Sequence, residues 1–212
     1  MRIEILSIAA LNGGSEISLS IRISDGENSE KRTLVLLSRQ FAELRPERGE
    51  IDAERFEELE AAAIVCSAVK RGMNILGYGA CSEKNMRLKL RTKGFDADIA
   101  RTAAAYLREL GYINESNDAS REAERCVRKL WGRRRIVAAL YEKGYSEEAV
   151  REALDLLDEV DFEEKCASLI RKKFGGVPED ARERQKLFAA LARYGYSTSE
   201  IKNAFHIIGN ND

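Results

Sequence analysis

One short phrase occurs three times in this 212-residue chain: "LRTKGFDADI" from Leu90, "LYEKGYSEEA" from Leu140 and "LARYGYSTSE" from Leu191. The three glycines, Gly94, Gly144 and Gly195, fall at intervals of 50 and 51 residues. Four positions before each glycine stands a leucine (Leu90, Leu140, Leu191), and eight before stands a large apolar residue (Met86, Ile136, Leu187). An aromatic follows each glycine (Phe95, Tyr145, Tyr196), then a residue suited to cap a helix (Asp96, Ser146, Ser197). Thirteen positions after each glycine comes Leu107, Leu157 or Ile208.

A helix that must stop favours a left-handed residue just past its end, and glycine takes that conformation without a Cβ clash. With the glycine in that place, leucine and aromatic fall where a Schellman turn brings them together. The Asp or Ser then accepts from free N–H groups of the next helix, and "STSE" at Ser197 to Glu200 reads as a capping box. Each phrase is therefore helix, tight turn, helix. A further helix is expected before each pair, over Asp52 to Leu76, Ala119 to Trp131 and Phe162 to Phe174. Three helices in about fifty residues, three times over, is a tandem repeat whose units bury faces against their neighbours in a curved, elongated array. The first copy is the least regular, with Ala100 and Ala104 where the second has Val150 and Leu154.

The first fifty residues have a different period. "EISLSIRIS" alternates, with Ile17, Leu19, Ile21 and Ile23 on one side, so it reads as a half-buried strand. A turn is expected across "DGENSEK", opened by Asp25-Gly26, with Arg32 to Leu37 as the partner strand. Ile3, Ile5 and Ile8 give an earlier strand, joined through Asn12-Gly13-Gly14. The fold class is thus mainly α, three three-helix repeats after a small antiparallel β region that packs on a helix. The expected boundaries are 1–50 for the β region and 51–114, 115–161 and 162–212 for the repeats. The first boundary lies at "PERGE", after which no strand pattern occurs and Asp52 can cap the first long helix.

Catalytic patterns are missing from the sequence. The single histidine, His206, stands in "FHIIG" and reads as a packing residue, and no phosphate-binding glycine motif occurs. Cys66, Cys81, Cys126 and Cys166 are widely spaced and form no C-x-x-C, which reads as reduced thiols in a cytoplasmic protein with no metal and no cofactor. No apolar run approaches the roughly 20 residues that span a bilayer, and the start reads as a strand rather than a signal peptide. Trp131 reads as a buried packing residue, with a contact role as the alternative.

Charge is balanced overall, with 35 Lys and Arg against 36 Asp and Glu, but it is unevenly distributed. "KNMRLKLRTK" carries Lys84, Arg87, Lys89, Arg91 and Lys93 with no acid. "RCVRKLWGRRR" carries Arg125, Arg128, Lys129, Arg133, Arg134 and Arg135, and "IRKKF" adds Arg171, Lys172 and Lys173. Acids gather elsewhere, as in "LDLLDEVDFEE" from Leu154. The expectation is a basic face and an acidic one. A basic face that recurs with the repeat suits a periodic polyanion or a helical filament.

In "MRLKLRTKGFD", "GYIN", "WGRRRIVAALYEKGYSEEAV", "IRKKFGG" and "RERQKLFAALARYGYSTSEI", in that order, the chain resembles the RecX family, bacterial regulators of the RecA recombinase. The resemblance covers about residues 57–208, and the β region is similar, more weakly, to an extension of some members. It implies three three-helix units in a curved rod that binds the groove of RecA–single-stranded DNA filaments. It further implies inhibition of RecA ATP hydrolysis and strand exchange, with effects on recombination, DNA repair and the SOS response, and no catalysis by the chain itself. Gly132 to Ile136 matches the family's glycine–basic–isoleucine turn, with Arg134 and Arg135 in the basic slots, and Arg184 to Leu187 matches its third-repeat signature. Tyr194 stands where the family commonly has a basic residue. The basic residues named above are the expected contacts of the filament, with weak binding to bare DNA and a monomeric chain. Two other classes stay open on the residues alone: a direct DNA-binding protein of helix–turn–helix pairs, and a scaffold for another partner.

Overall fold

Alternating isoleucines build the first layer. A computed structural model describes residues 1–26 and 28–209. Strands β1 (Arg2–Leu11), β2 (Glu16–Asp25) and β3 (Asn28–Leu37) form an antiparallel meander. The register steps between Ile5 and Ser7, leaving Leu6 as a bulge. That extra residue keeps Ile3, Ile5 and Ile8 on one face despite the odd spacing of the last two.

Two expectations are corrected here. β3 starts at Asn28, opposite Asp25, rather than at Arg32, because Gly26 at φ +62° lets the chain reverse at once. Of the turn expected across "DGENSEK", Glu27 lies outside the described residues. Beyond β3 a short helix α1 (Ser38–Leu44) and a fourth strand β4 (Gly49–Ile51) occupy the stretch read as a boundary. β4 pairs with β1 and gives the order β3-β2-β1-β4.

The sheet buries Ile3, Ile5, Leu19, Ile21 and Leu36 against Phe56, Leu59 and Ala62 of α2 (Ala53–Leu76). Asp52 caps α2, accepting from the N–H of Arg55 at 2.8 Å. Glu16, at the start of β2, is buried, but its carboxylate accepts from Asn12 at 3.0 Å and pairs with Lys70 of α2 at 2.6 Å.

The remaining helices are α3 (Glu83–Thr92), α4 (Ala97–Glu109), α5 (Glu115–Arg128), α6 (Arg133–Glu142), α7 (Glu147–Leu157), α8 (Phe162–Phe174), α9 (Ala181–Arg193) and α10 (Thr198–Gly209). They repeat one plan, in which the first and third helix of each triplet pack together: α2 on α4, α5 on α7, α8 on α10. The chain divides into two compact units, Met1–Gly79 with Met86–Tyr112, and Ala80–Asn85 with Ile113–Asp212. α5 differs from expectation: it starts four residues before Ala119, on an Asn114 cap, and ends at Arg128.

The three turns are Schellman turns. Gly94, Gly144 and Gly195 have φ of 93°, 72° and 96°. In each, the aromatic N–H donates to the leucine carbonyl: Phe95 to Leu90 at 3.3 Å, Tyr145 to Leu140 at 3.4 Å, Tyr196 to Leu191 at 3.3 Å. Ser197 and Glu200 form the expected reciprocal capping box. The nine apolar positions read from the repeat, eight and four before and thirteen after each glycine, are all buried. Each contributes about 1.5–3 kcal/mol of burial free energy. In the alanine-rich first copy, Gly72 of α2 leaves room for Leu107: a Cβ there would stand 2.4 Å from its Cδ1.

Candidate functional site

The repeats in the second unit are joined by one recurring contact: the start of the second helix of one triplet seats on the glycine turn of the next. At the first joint, Ser82 Oγ and Asn85 Nδ2 both donate to the Lys143 carbonyl, at 2.8 and 2.9 Å. The Glu115 carboxylate ties the same place, accepting from the N–H of Glu83 at 2.7 Å and of Ser146 at 2.8 Å. At the second joint, the Gly132 N–H donates to the Tyr194 carbonyl at 2.8 Å, and the Arg134 N–H to the Gly195 carbonyl at 3.1 Å. Tyr196 Oη, deep in the core, donates to the Leu130 carbonyl at 2.9 Å. Leu130 itself takes a left-handed conformation, φ +57°, so that the chain can turn from α5 into this joint. For a residue with a Cβ that conformation costs roughly 1–2 kcal/mol.

The second joint fixes a series of cations on aromatic rings. Arg135 lies over Trp131, its guanidinium carbon 3.9 Å from the ring centroid, and 5.5 Å from that of Tyr194. Lys129 sits 5.6 Å from the Trp131 ring. Lys173 sits 4.9 Å from the Tyr194 ring and bonds its hydroxyl. The order Lys129–Trp131–Arg135–Tyr194–Lys173 brings together cations from two of the basic runs. Trp131 packs partly buried against the core, and its face carries Arg135. The sequence does not mark Tyr194 as a site residue, because its cation partners Arg135 and Lys173 are distant from it in the chain.

Other basic side chains are engaged in ion pairs. Arg133 pairs with Asp158 at 2.7 Å, donates to the Leu157 carbonyl at 2.9 Å and lies 5.5 Å from the Phe162 ring centroid. Arg171 pairs with Glu164 at 2.8 Å, and Arg128 with Glu124 at 3.6 Å. Arg125 bonds Glu122, which also holds Lys143 at 3.2 Å. Burial alone would raise the Glu122 carboxyl, but hydrogen bonds from Arg125 and Lys143 outweigh it and hold the group below the usual range. The acidic run supplies Asp158 and Glu164 to the basic runs, so the separate basic and acidic faces expected from sequence are interleaved here.

Eight of the expected cations are exposed and have no ion-pair partner among the described residues: Lys84, Lys89, Arg91, Lys93, Lys129, Arg134, Lys172 and Lys173, of which Lys129 and Lys173 sit on the rings. On α3, Lys84 and Arg91 lie on the face turned away from the buried Met86 and Leu90. All four cysteines are buried free thiols. Among the described residues no group of three His, Cys, Asp or Glu is placed to hold a metal, and no helix is long and apolar enough to cross a membrane.

Residues 159–205 match the family model described as RecX, third three-helix domain. The regulatory protein RecX of Stenotrophomonas maltophilia strain R551-3 is 32% identical over 141 residues, which cover 64% of this chain and 83% of that protein. The chain belongs to the RecX family. The regulatory protein RecX of Clostridium perfringens strain SM101 is 29% identical over 166 residues, 76% of this chain and 78% of that protein. A crystal structure titled as regulatory protein RecX shares the RecX fold over 95% of this chain and 99% of its own, with a TM-score of 0.73 at 19% identity. RecX from Lactobacillus salivarius matches 70% of this chain and 98% of its own, with a TM-score of 0.60 at 22% identity. The relatives are named as regulatory proteins, and a regulatory role follows for this RecX chain.

Proposed function

We propose that this chain binds the RecA–single-stranded DNA filament and inhibits RecA, lowering its ATPase and recombinase activity and so modulating recombination, DNA repair and the SOS response. It acts by occupying a surface, with no chemical step of its own. The observation that carries the reading is the Lys129–Trp131–Arg135–Tyr194–Lys173 series, with Arg134 exposed beside it. Cations held on rings keep their charge in place while resisting collapse onto nearby carboxylates. A polyanionic filament meets a preordered surface, and less side-chain entropy is lost on binding. The unpaired cations of α3 add a second basic stretch, which suits a partner that repeats along its axis.

The same rings favour a second reading, direct binding of single-stranded DNA, because aromatic faces interleaved with cations are stacking platforms for bases. Fluorescence anisotropy of a labelled single-stranded oligonucleotide, bare and RecA-coated, separates the two across a salt series. The filament reading expects clear preference for the coated strand. Tight, steeply salt-dependent binding to the bare strand without that preference would replace it with the second.

A further inference from the structure

In the third repeat, the segment between α8 and α9 borders a cleft of about 430 Å³ together with α9 and α10. Its floor is apolar: Val177 and Phe205 are half-buried and Ile208 is buried. Its rim carries Arg184, Lys202 and His206, all exposed, and among the described residues no acidic side chain lines it. Lys202 and His206 stand four positions apart on α10 and so share one face. Neither has a hydrogen-bond or ion-pair partner among the described residues. Arg184 donates through Nε to the Pro178 carbonyl at 3.1 Å and through Nη2 to the Glu179 carbonyl at 3.3 Å. These bonds fix the guanidinium and leave Nη1 without a partner among the described residues. Of the acids flanking Arg184, Asp180 caps α9, Glu183 pairs with Lys186 at 2.8 Å, and Glu179 meets the arginine only through its carbonyl. His206 reads from sequence as a packing residue, but the fold sets it on this rim instead.

Three nitrogen donors from two helices, above an apolar floor, suit a ligand that accepts from several sides and carries a flat or apolar body. A phosphate monoester has three terminal oxygens and a charge of about −1.5 to −2 at neutral pH, so it can engage all three donors. A carboxylate offers two oxygens and a single charge. A nucleobase can lie against an aromatic ring by its face and keep its polar edge in water. The volume falls in the range of small-ligand sites, roughly 300–1,000 Å³. We propose that this cleft binds a nucleoside phosphate, with the phosphate on Arg184, Lys202 and His206 and the base over Val177, Phe205 and Ile208. A free nucleotide and a residue of a single strand present the same unit. The cleft shares no residue with the Lys129–Trp131–Arg135–Tyr194–Lys173 series, and its binding is tested on the free chain, independently of RecA.

His206 is the only histidine in the sequence, so its ring protons report on the cleft in proton NMR of the full chain. At constant pH and low salt, deoxyadenosine monophosphate is expected to shift that signal saturably. Inorganic phosphate and deoxyadenosine are each expected to bind at least about tenfold more weakly, since each lacks one half of the contact. Lys202→Gln removes one charge-assisted hydrogen bond from a side chain that has no partner within the chain. It is expected to weaken nucleotide binding about tenfold and to leave the melting temperature unchanged. A short single strand of deoxyadenosine units distinguishes the two sources. Saturation at a lower nucleotide concentration than the monophosphate needs assigns the cleft to a strand, and the reverse order assigns it to a free nucleotide. A His206 signal that saturates with neither would overturn the proposal. So would full affinity in Lys202→Gln, or N-acetylphenylalanine bound as tightly as the nucleotide, which would assign the cleft to a peptide carboxylate.

Discussion

Gly132 and Gly195 lie back to back, so close that a Cβ on Gly132 would stand 2.3 Å from the carbonyl carbon of Gly195. Neither side has slack, because the Gly132 N–H and the Arg134 N–H both bond the turn. Gly132 has φ −75°, which any residue adopts, so its requirement for glycine is purely one of space. Gly94 is the opposite case, with positive φ and open space. Gly132→Ala is therefore expected to destabilise the chain by about 2–4 kcal/mol, and Gly94→Ala by about 1 kcal/mol. Urea unfolding of both variants measures the difference. Equal costs would mean that the second joint yields easily.

Tyr145 and Tyr196 occupy the same place in successive turns, yet only Tyr196 spans a joint, through its bond to the Leu130 carbonyl. Tyr196→Phe leaves that carbonyl without its donor and is expected to cost about 1 kcal/mol, whereas Tyr145→Phe is expected to be close to neutral. Equal shifts in the denaturation midpoint would contradict this.

Much of this plan was legible in the sequence because it is local. A left-handed glycine, the leucine four before it and the cap after it are bonded within one turn, so spacing alone reveals them. α1 and β4 were not legible: β4 is three residues long, too short for alternation, and exists because β1 offers it an edge. The left-handed Leu130 breaks the glycine rule, since the joint it serves is formed by residues more than sixty positions away. The basic runs were visible, but the division of labour within them was not. Arg133 and Arg134 are adjacent, yet only the fold decides that one meets Asp158 while the other remains exposed.

That division makes single substitutions more informative than removal of the whole run. Arg134→Ala is expected to weaken filament binding severalfold while leaving thermal stability unchanged, since its side chain has no ion-pair partner among the described residues. Arg133→Ala is expected to lower stability, because it removes the bond to the Leu157 carbonyl. Binding titrations beside melting curves separate the two effects, and unchanged filament affinity in Arg134→Ala would remove that residue from the surface.

Alkaline pH should loosen the core of the repeats. Burial pushes the Cys166 thiol from 9.0 up to about 12, and the Tyr145 hydroxyl from 10.0 to about 12. Both groups are neutral when protonated and have folded values above their unfolded ones. Their contribution is complete below pH 9.0 and is lost as pH rises toward about 12. The melting temperature is expected to decline across that window, and Cys166→Ala, though less stable throughout, to show a shallower decline. Parallel slopes for the two proteins would show that the thiol does not contribute.

The proposed inhibition of RecA by occupation of its filament can be measured directly. The direct measurement is the RecA ATPase rate on single-stranded DNA, with the chain added from far below to equal the amount of RecA. Inhibition is expected well below one chain per RecA. An unchanged rate and unchanged filament length at equal amounts, with the chain folded, would contradict it.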